Sequence, residues 1–226
     1  MDTATNVQSI RFVALVLLFV LPFSLLKSEV APTPAKSDFV DVRRFDATIV
    51  VDLRYASENN FIHRAIYPPS MPPLVRLSVA QRLAVAQKFL KARGFGLKIW
   101  DAYRPQDAQT QLWEAIRNHD FVADPKEGIG SMHTRGVAVD ATLVDRSGKE
   151  VAMPTDFDNF TPAAMLSYQG TDPKVRFHLN ILQKAMARAG FYGLRTEWWH
   201  FCAGDWAEYA PVPEVRPVVT VSQLQP

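Results

Sequence analysis

Two short segments constrain the fold of this chain more than any other feature. The first is Ser131–Asp140, in which a histidine and an aspartate stand seven residues apart with Gly136 between them. The second is Glu197–His200, which begins with a glutamate and ends with a histidine. The two segments are about sixty residues apart. If their polar side chains act together, the chain must fold so that both segments meet.

The hydrophobic pattern predicts an α+β fold, in which a single domain has a central, mainly antiparallel sheet with packed helices. Apolar residues at helical spacing predict helices within 79–90, 105–116 and 175–186, with Pro105 in the first turn of the second, and Ser78 with Gln81 predicts a capping box at the start of the first. Predicted strands cover Ile49–Tyr55, Leu97–Trp100, Gly136–Val144 and Trp198–Cys202.

Size and charge favour one globular catalytic domain. The chain has 226 residues, of which 48% are hydrophobic and 21% charged, which suffices for one well-filled core. The formal net charge is +2, and the basic residues are scattered without a run that could follow a phosphate backbone. We therefore expect no nucleic acid partner.

The N-terminus is typical of an exported protein. An apolar run, Phe12–Leu26, follows Arg11, contains Pro22, and is shorter than the ~20 residues that span a bilayer. For residues 1–37 we predict a signal peptide or N-terminal membrane segment plus linker, with the domain in the periplasm or on the extracytoplasmic side of the membrane. If the signal is not cleaved, residues 12–26 are a possible membrane tether. The predicted catalytic domain spans 38–210, and a loose tail spans 211–226.

Three side chains in the two segments are candidate zinc ligands. Taken singly, His133 and His200 are more often structural histidines, and Asp140 a hydrogen-bonded structural carboxylate. Taken together, they are three ligands that leave a fourth tetrahedral position open, as in a catalytic zinc site. Glu197 is then the candidate general base, provided that a bend or bulge at the intervening tryptophans brings it to the same side as His200.

Arg104 allows two interpretations. An arginine before a proline at a strand-to-helix junction is by default solvent-facing or a helix cap. Beside an electrophilic metal site, its guanidinium would donate to a carbonyl oxygen that becomes negative in the transition state. The second interpretation is preferred.

These residues also carry a family resemblance. The chain resembles the VanX-like zinc D-alanyl-D-alanine dipeptidases, within the D-Ala-D-Ala metallopeptidases that share the signature Ser-x-His-x-x-Gly-x-Ala-x-Asp. The resemblance extends from about Asp52 to about Tyr209. Besides Ser131–Asp140 and Glu197–His200, it includes Arg54–Phe61, Trp100–Pro105 and Asp156–Asp158.

The resemblance implies a function and further site residues. It implies zinc-dependent hydrolysis of the D-Ala-D-Ala dipeptide, or closely related short D-dipeptides, with one Zn²⁺ per chain, Glu197 as base and Arg104 as transition-state stabiliser. It also implies that Asp158, Tyr55 and Ser131 bind the dipeptide's free amino group. An ordinary turn residue is the competing interpretation of Asp158.

Two other functions stay open at this point. One is a D,D-carboxypeptidase of the same mechanism that acts on longer peptidoglycan stem peptides. The other is a non-catalytic, zinc-containing domain that binds the cell wall.

Overall fold

The computed structural model of the protein describes Met1 and residues 38–215. The predicted export segment, with its possible tether at residues 12–26, lies outside the described residues, as does the tail from residue 216 onward. Within the described part of the chain, no helix is both long and apolar enough to cross a membrane.

A five-stranded sheet is the centre of the fold. Its strand order is β2-β4-β5-β7-β6, and every neighbouring pair is antiparallel except β2 and β4. Strands β1 and β3 form a separate antiparallel pair. The elements are β1 (Phe39–Asp41), β2 (Val50–Val51), β3 (Leu74–Arg76), α1 (Leu77–Lys91), β4 (Phe95–Asp101), α2 (Gln106–Ile116), β5 (Ala138–Asp145), α3 (Pro173–Arg188), β6 (Phe191–Leu194) and β7 (Glu197–Ala203).

Helices α1 and α3 pack on the sheet and on each other. Their buried stripes include Leu83 and Leu90 of α1 and Leu182 of α3, and the middle strands add Leu97 and Leu143 to one continuous core. The predicted α+β class, with a mainly antiparallel sheet and packed helices, is confirmed.

Two local predictions were wrong. Ser78 does not cap α1, because the helix already begins at Leu77 and the Ser78 hydroxyl lies 2.8 Å from the Tyr209 hydroxyl in a buried hydrogen bond. The predicted strand at Ile49–Tyr55 is only two residues long, since the chain leaves the sheet after Val51 and forms a 3-10 helix at Arg54–Ala56.

The beginning of the predicted tail contacts the domain. The Val212 N–H donates to the Thr134 carbonyl at 3.0 Å, and the Val212 carbonyl accepts from the Tyr103 hydroxyl at 2.8 Å. These bonds place residues 211–215 beside the segment that leads into β5.

Candidate metal centre and active site

Three central strands place acidic and imidazole side chains in one row. Asp101 at the end of β4 pairs with Asp140 of β5, and Asp140 pairs with His200 of β7. Paired residues on neighbouring strands lie on the same face of a sheet. The register therefore brings together side chains that are distant in the sequence.

An irregularity in β7 brings Glu197 to the same place. On the edge that faces β6, the register shifts between Gly193 and Leu194, so that Leu194 pairs with Glu197 instead of His200. A bulge of this kind changes the alternation of side chains along a strand. As a result, Glu197 Oε2 lies 3.9 Å from His200 Nδ1, in agreement with the predicted bend at the tryptophans.

His133 reaches the row from the turn before β5. The turn closes when Gly136 N–H donates to the His133 carbonyl at 2.9 Å, and Gly136 has a φ of +71°, which favours glycine. A Cβ at this position would collide with the ring of Phe39. The close approach of that ring and the positive φ together require the glycine of the signature.

The predicted zinc ligands form a compact triangle. His200 Nδ1 lies 3.1 Å from Asp140 Oδ1 and 3.1 Å from His133 Nε2, and the remaining edge, His133 Nε2 to Asp140 Oδ1, is 3.4 Å. Ligand atoms at about 2.0–2.1 Å from a tetrahedral zinc ion lie about 3.4 Å from one another. The donor set and its spacing therefore fit zinc, the predicted cofactor. Among the described residues, these three are the group that could hold a metal ion.

A second hydrogen bond orients the His133 ring. Its Nδ1 lies 2.8 Å from the carbonyl oxygen of Ala102, which can only accept, so Nδ1 carries the proton. In the neutral ring, Nε2 is then unprotonated and presents its lone pair to the other two ligand atoms. Second contacts of this kind fix the tautomer of metal-binding histidines.

Before a metal ion binds, Asp140 and His200 favour the protonation states that bind a cation, whereas His133 must lose a proton to do so. Burial tends to raise the pKa of Asp140, but contacts with His133 and His200 outweigh it and lower the pKa. Burial lowers the pKa of His200 despite the neighbouring carboxylate. Burial also tends to lower the pKa of His133, but the negative charges of Asp140 and Asp101 outweigh it and raise the pKa overall. A buried cluster of one anion and two imidazoles is suited to a divalent cation.

Glu197 has the environment of a proton carrier. Its side chain is buried, and burial together with the negative charges of Asp140 and Asp158 raises its pKa well above the usual value. Burial and neighbouring charges that raise the pKa of a carboxyl group are typical of the general acids and bases of enzymes.

Arg104 is held by partners that the sequence analysis did not single out. Its Nε and Nη2 donate to Asp101 Oδ2 at 3.0 and 2.7 Å, and its Nη1 donates to Gln109 Oε1 at 2.9 Å. Asp101 is completely buried and also accepts from the Tyr67 hydroxyl at 2.7 Å. The only sequence signal for this role is an aspartate at the end of an apolar strand, three residues before the arginine.

The three predicted substrate-binding residues lie in the same cavity. Asp158 is half-buried, has a φ of +56°, and accepts from the Tyr55 hydroxyl at 3.1 Å and from Phe61 N–H at 3.2 Å. Burial, reinforced by the charge of Asp140, raises the pKa of Asp158 to about 7. The Ser131 hydroxyl accepts from His133 N–H at 3.2 Å.

All eight predicted site residues line one cavity of about 220 Å³. This volume is below the roughly 300–1,000 Å³ of pockets for drug-sized ligands, so the cavity is suited to a very small substrate. The exposed His119, which had no predicted role, lies at its edge. The eight residues are Tyr55, Arg104, Ser131, His133, Asp140, Asp158, Glu197 and His200.

A mixed α and β domain with a His-Asp-His cluster, a buried glutamate and a small cavity defines a metallopeptidase. The chain belongs to peptidase family M15, described as D-Ala-D-Ala dipeptidase, whose model matches residues 35–218. The predicted family and enzyme class are confirmed.

Proteins similar to this chain are named D-alanyl-D-alanine dipeptidase. It is 32% identical to a D-alanyl-D-alanine dipeptidase of Escherichia coli, over 76% of this chain and 88% of the relative. It is 26% identical to a D-alanyl-D-alanine dipeptidase of Enterococcus faecalis, over 66% and 83%. A solved structure of the vancomycin-resistance D,D-pentapeptidase VanY in complex with Zn(II) is 16% identical over 61% of this chain and 77% of that chain, and its TM-score of 0.38 is too low to establish a shared fold.

Proposed function

We propose that the protein hydrolyses the D-Ala-D-Ala dipeptide, or a closely related short D-dipeptide, with one zinc ion held by His133, Asp140 and His200. The observation that carries the proposal is the triangle of ligand atoms, 3.1–3.4 Å apart, with the Glu197 carboxyl group beside it in a small cavity. When bound, zinc supplies a Lewis acid that polarises the peptide carbonyl and lowers the pKa of a water molecule.

Glu197 moves the proton. Its carboxylate takes a proton from the attacking water and passes it to the nitrogen of the leaving D-alanine, which departs as an amine. The position of Glu197 next to His200 supports this role, because a proton carrier must reach both the water and the leaving group.

Arg104 stabilises the developing oxyanion. Its contacts with Asp101 and Gln109 use three of the five guanidinium N–H groups. Two remain, and Arg104 lines the cavity. A guanidinium held in place before the reaction stabilises negative charge without further reorganisation.

Asp158 selects the free dipeptide by binding its ammonium group. The Tyr55 hydroxyl orients the Asp158 carboxylate by donating a hydrogen bond to it. A half-buried anion that lines the cavity favours a substrate with a charged N-terminus and disfavours one in which the nitrogen is acylated. The same feature argues against a carboxypeptidase that acts on stem peptides, because their penultimate residue is acylated.

The test compares free D-Ala-D-Ala with N-acetyl-D-Ala-D-Ala in the zinc-loaded protein. We expect the free dipeptide to have the higher kcat/KM, and turnover to stop with a chelator and return with Zn²⁺. Preference for the acetylated substrate would support the carboxypeptidase. A fully zinc-loaded protein without turnover on either would support the non-catalytic domain.

We also propose that the enzyme acts outside the cytoplasmic membrane, where peptidoglycan fragments arise. The apolar run at Phe12–Leu26 supports this. Fractionation of cells that express the full chain is the direct check, and recovery in the cytoplasm would contradict it.

A further inference from the structure

Charge is distributed unevenly over the two helices that pack together on the sheet. Helix α1 contains three basic residues and α3 contains four, and neither contains an aspartate or glutamate. The whole chain has 25 basic and 23 acidic residues. A nearly balanced protein therefore has one helical layer that is purely cationic.

A groove on this layer combines cations with apolar side chains. It is lined by Phe89 and Arg93 from the end of α1 and the turn after it, and by Phe177, Lys184 and Arg188 of α3, among others. We call it the basic groove. It measures about 1090 Å³, and no lining residue is acidic. No residue of the basic groove lines the catalytic cavity.

The cations of the basic groove are available to a partner. Arg93, Lys184 and Arg188 are exposed, and none of them forms an ion pair within the described part of the chain. Arg93 and Arg188 instead lie over the Phe89 ring, at 3.6 and 6.0 Å from its centroid. Their charges are therefore not neutralised by the fold.

Large apolar side chains are exposed at the same place. Phe177, inside the groove, is 53% exposed, and Val85, one helical turn before Phe89 on α1, is 51% exposed. A soluble acidic polymer would pair with the basic side chains but would leave these apolar side chains exposed to water. A second copy of the same face would bring like charges together.

We propose that the basic groove docks the domain on an anionic phospholipid surface. Basic side chains attract anionic headgroups, and neighbouring apolar side chains enter the boundary between headgroups and acyl chains. The proposal does not depend on hydrolytic activity, so its failure and the failure of the proposed function are distinguishable.

The test is co-sedimentation of the full chain with vesicles of phosphatidylcholine alone or mixed equally with phosphatidylglycerol. We expect a preference for the anionic vesicles that falls with added salt. In the triple variant Arg93→Gln, Lys184→Gln and Arg188→Gln, that preference should fall about 100-fold, because each basic residue near such a surface contributes about five-fold. Phe177→Ser should weaken binding by a smaller factor.

A matched triple variant controls for net charge. Arg64→Gln, Arg146→Gln and Lys149→Gln also removes three exposed cations, all outside the basic groove. Every protein in the comparison keeps residues 12–26, so any contribution of that apolar run is the same for all. Thermal unfolding of each variant checks that the domain stays folded.

Several results would overturn the proposal. Equal losses in the two triple variants would mean that net charge alone attracts the protein. If the triple variant of Arg93, Lys184 and Arg188 kept the preference for anionic vesicles, the basic groove would not be the membrane-binding surface. Binding to soluble polyphosphate but not to anionic vesicles would assign the groove to an acidic polymer. A dimer in lipid-free sedimentation that only the groove variant abolishes would assign it to self-association.

Discussion

Replacing Asp158 with asparagine should stabilise the metal-free protein at alkaline pH and impair substrate binding. Burial raises the pKa of Asp158 to about 7 from the ordinary value of 3.8, a difference of about three pH units. Each unit corresponds to about 1.4 kcal/mol, so the ionised carboxylate lowers the free energy of unfolding by about 4 kcal/mol. Asparagine has nearly the same shape and tolerates the left-handed backbone at this position.

The pH dependence has a definite sign. Below about pH 4, Asp158 is protonated in both the folded and unfolded states. Between about pH 4 and pH 7, the folded state keeps a proton that the unfolded chain has lost, so the stability of the wild type falls as pH rises. Above about pH 7 the destabilising effect of the ionised Asp158 carboxylate no longer changes with pH. The variant Asp158→Asn lacks this effect at every pH.

The hydrogen bonds of Asp158 can be kept in the variant. The asparagine carbonyl oxygen can accept from Phe61 N–H, and its NH₂ group can donate to the Tyr55 hydroxyl, which is able to accept as well as donate. The variant should therefore be about as stable as the wild type near pH 4 and about 4 kcal/mol more stable at pH 8.

Urea unfolding with chelator at several pH values measures this difference. Parallel stability profiles for the two proteins would refute the raised pKa of the half-buried Asp158 carboxyl group. In the zinc-loaded enzyme, the KM for free D-Ala-D-Ala should rise at least ten-fold, because a charge-assisted contact with the ammonium group is lost. An unchanged KM would remove Asp158 from the substrate site.

Three further substitutions test the site and its support. Glu197→Gln should lower kcat by about 10²–10⁴-fold with zinc content unchanged; loss of zinc in metal analysis would instead make Glu197 a ligand. Asp101→Asn removes the buried partner of Arg104 and should cost about 3–5 kcal/mol in urea unfolding, together with a lower kcat/KM; wild-type stability would exclude the positioning role. Gly136→Ala should lower the melting temperature more than the control Gly148→Ala, because both have positive φ but only Gly136 faces an aromatic ring; equal shifts would mean that the ring moves aside freely.

Much of this protein follows from its sequence alone. Helical periodicity predicted α3, alternation predicted β5, and short apolar runs predicted β4 and β7. The runs were informative because these central strands are buried along most of their length. The zinc-ligand role of His133, Asp140 and His200 was also predicted from the sequence, because imidazole and carboxylate groups are the side chains that commonly bind zinc. The glycine of the signature was evident as a turn, but its contact with Phe39 was not.

The tertiary structure decided what depends on register and burial. The pairing of Asp101 with Asp140 and of Asp140 with His200 gathers the site, and no residue carries that information by itself. The tautomer of His133 depends on a carbonyl that lies 31 residues earlier in the chain. Burial, and with it the raised pKa of Asp158, arises only when remote segments exclude water. Sequence patterns report local periodicity and side-chain chemistry, whereas hydrogen bonds and charges act between groups that only the folded chain brings together.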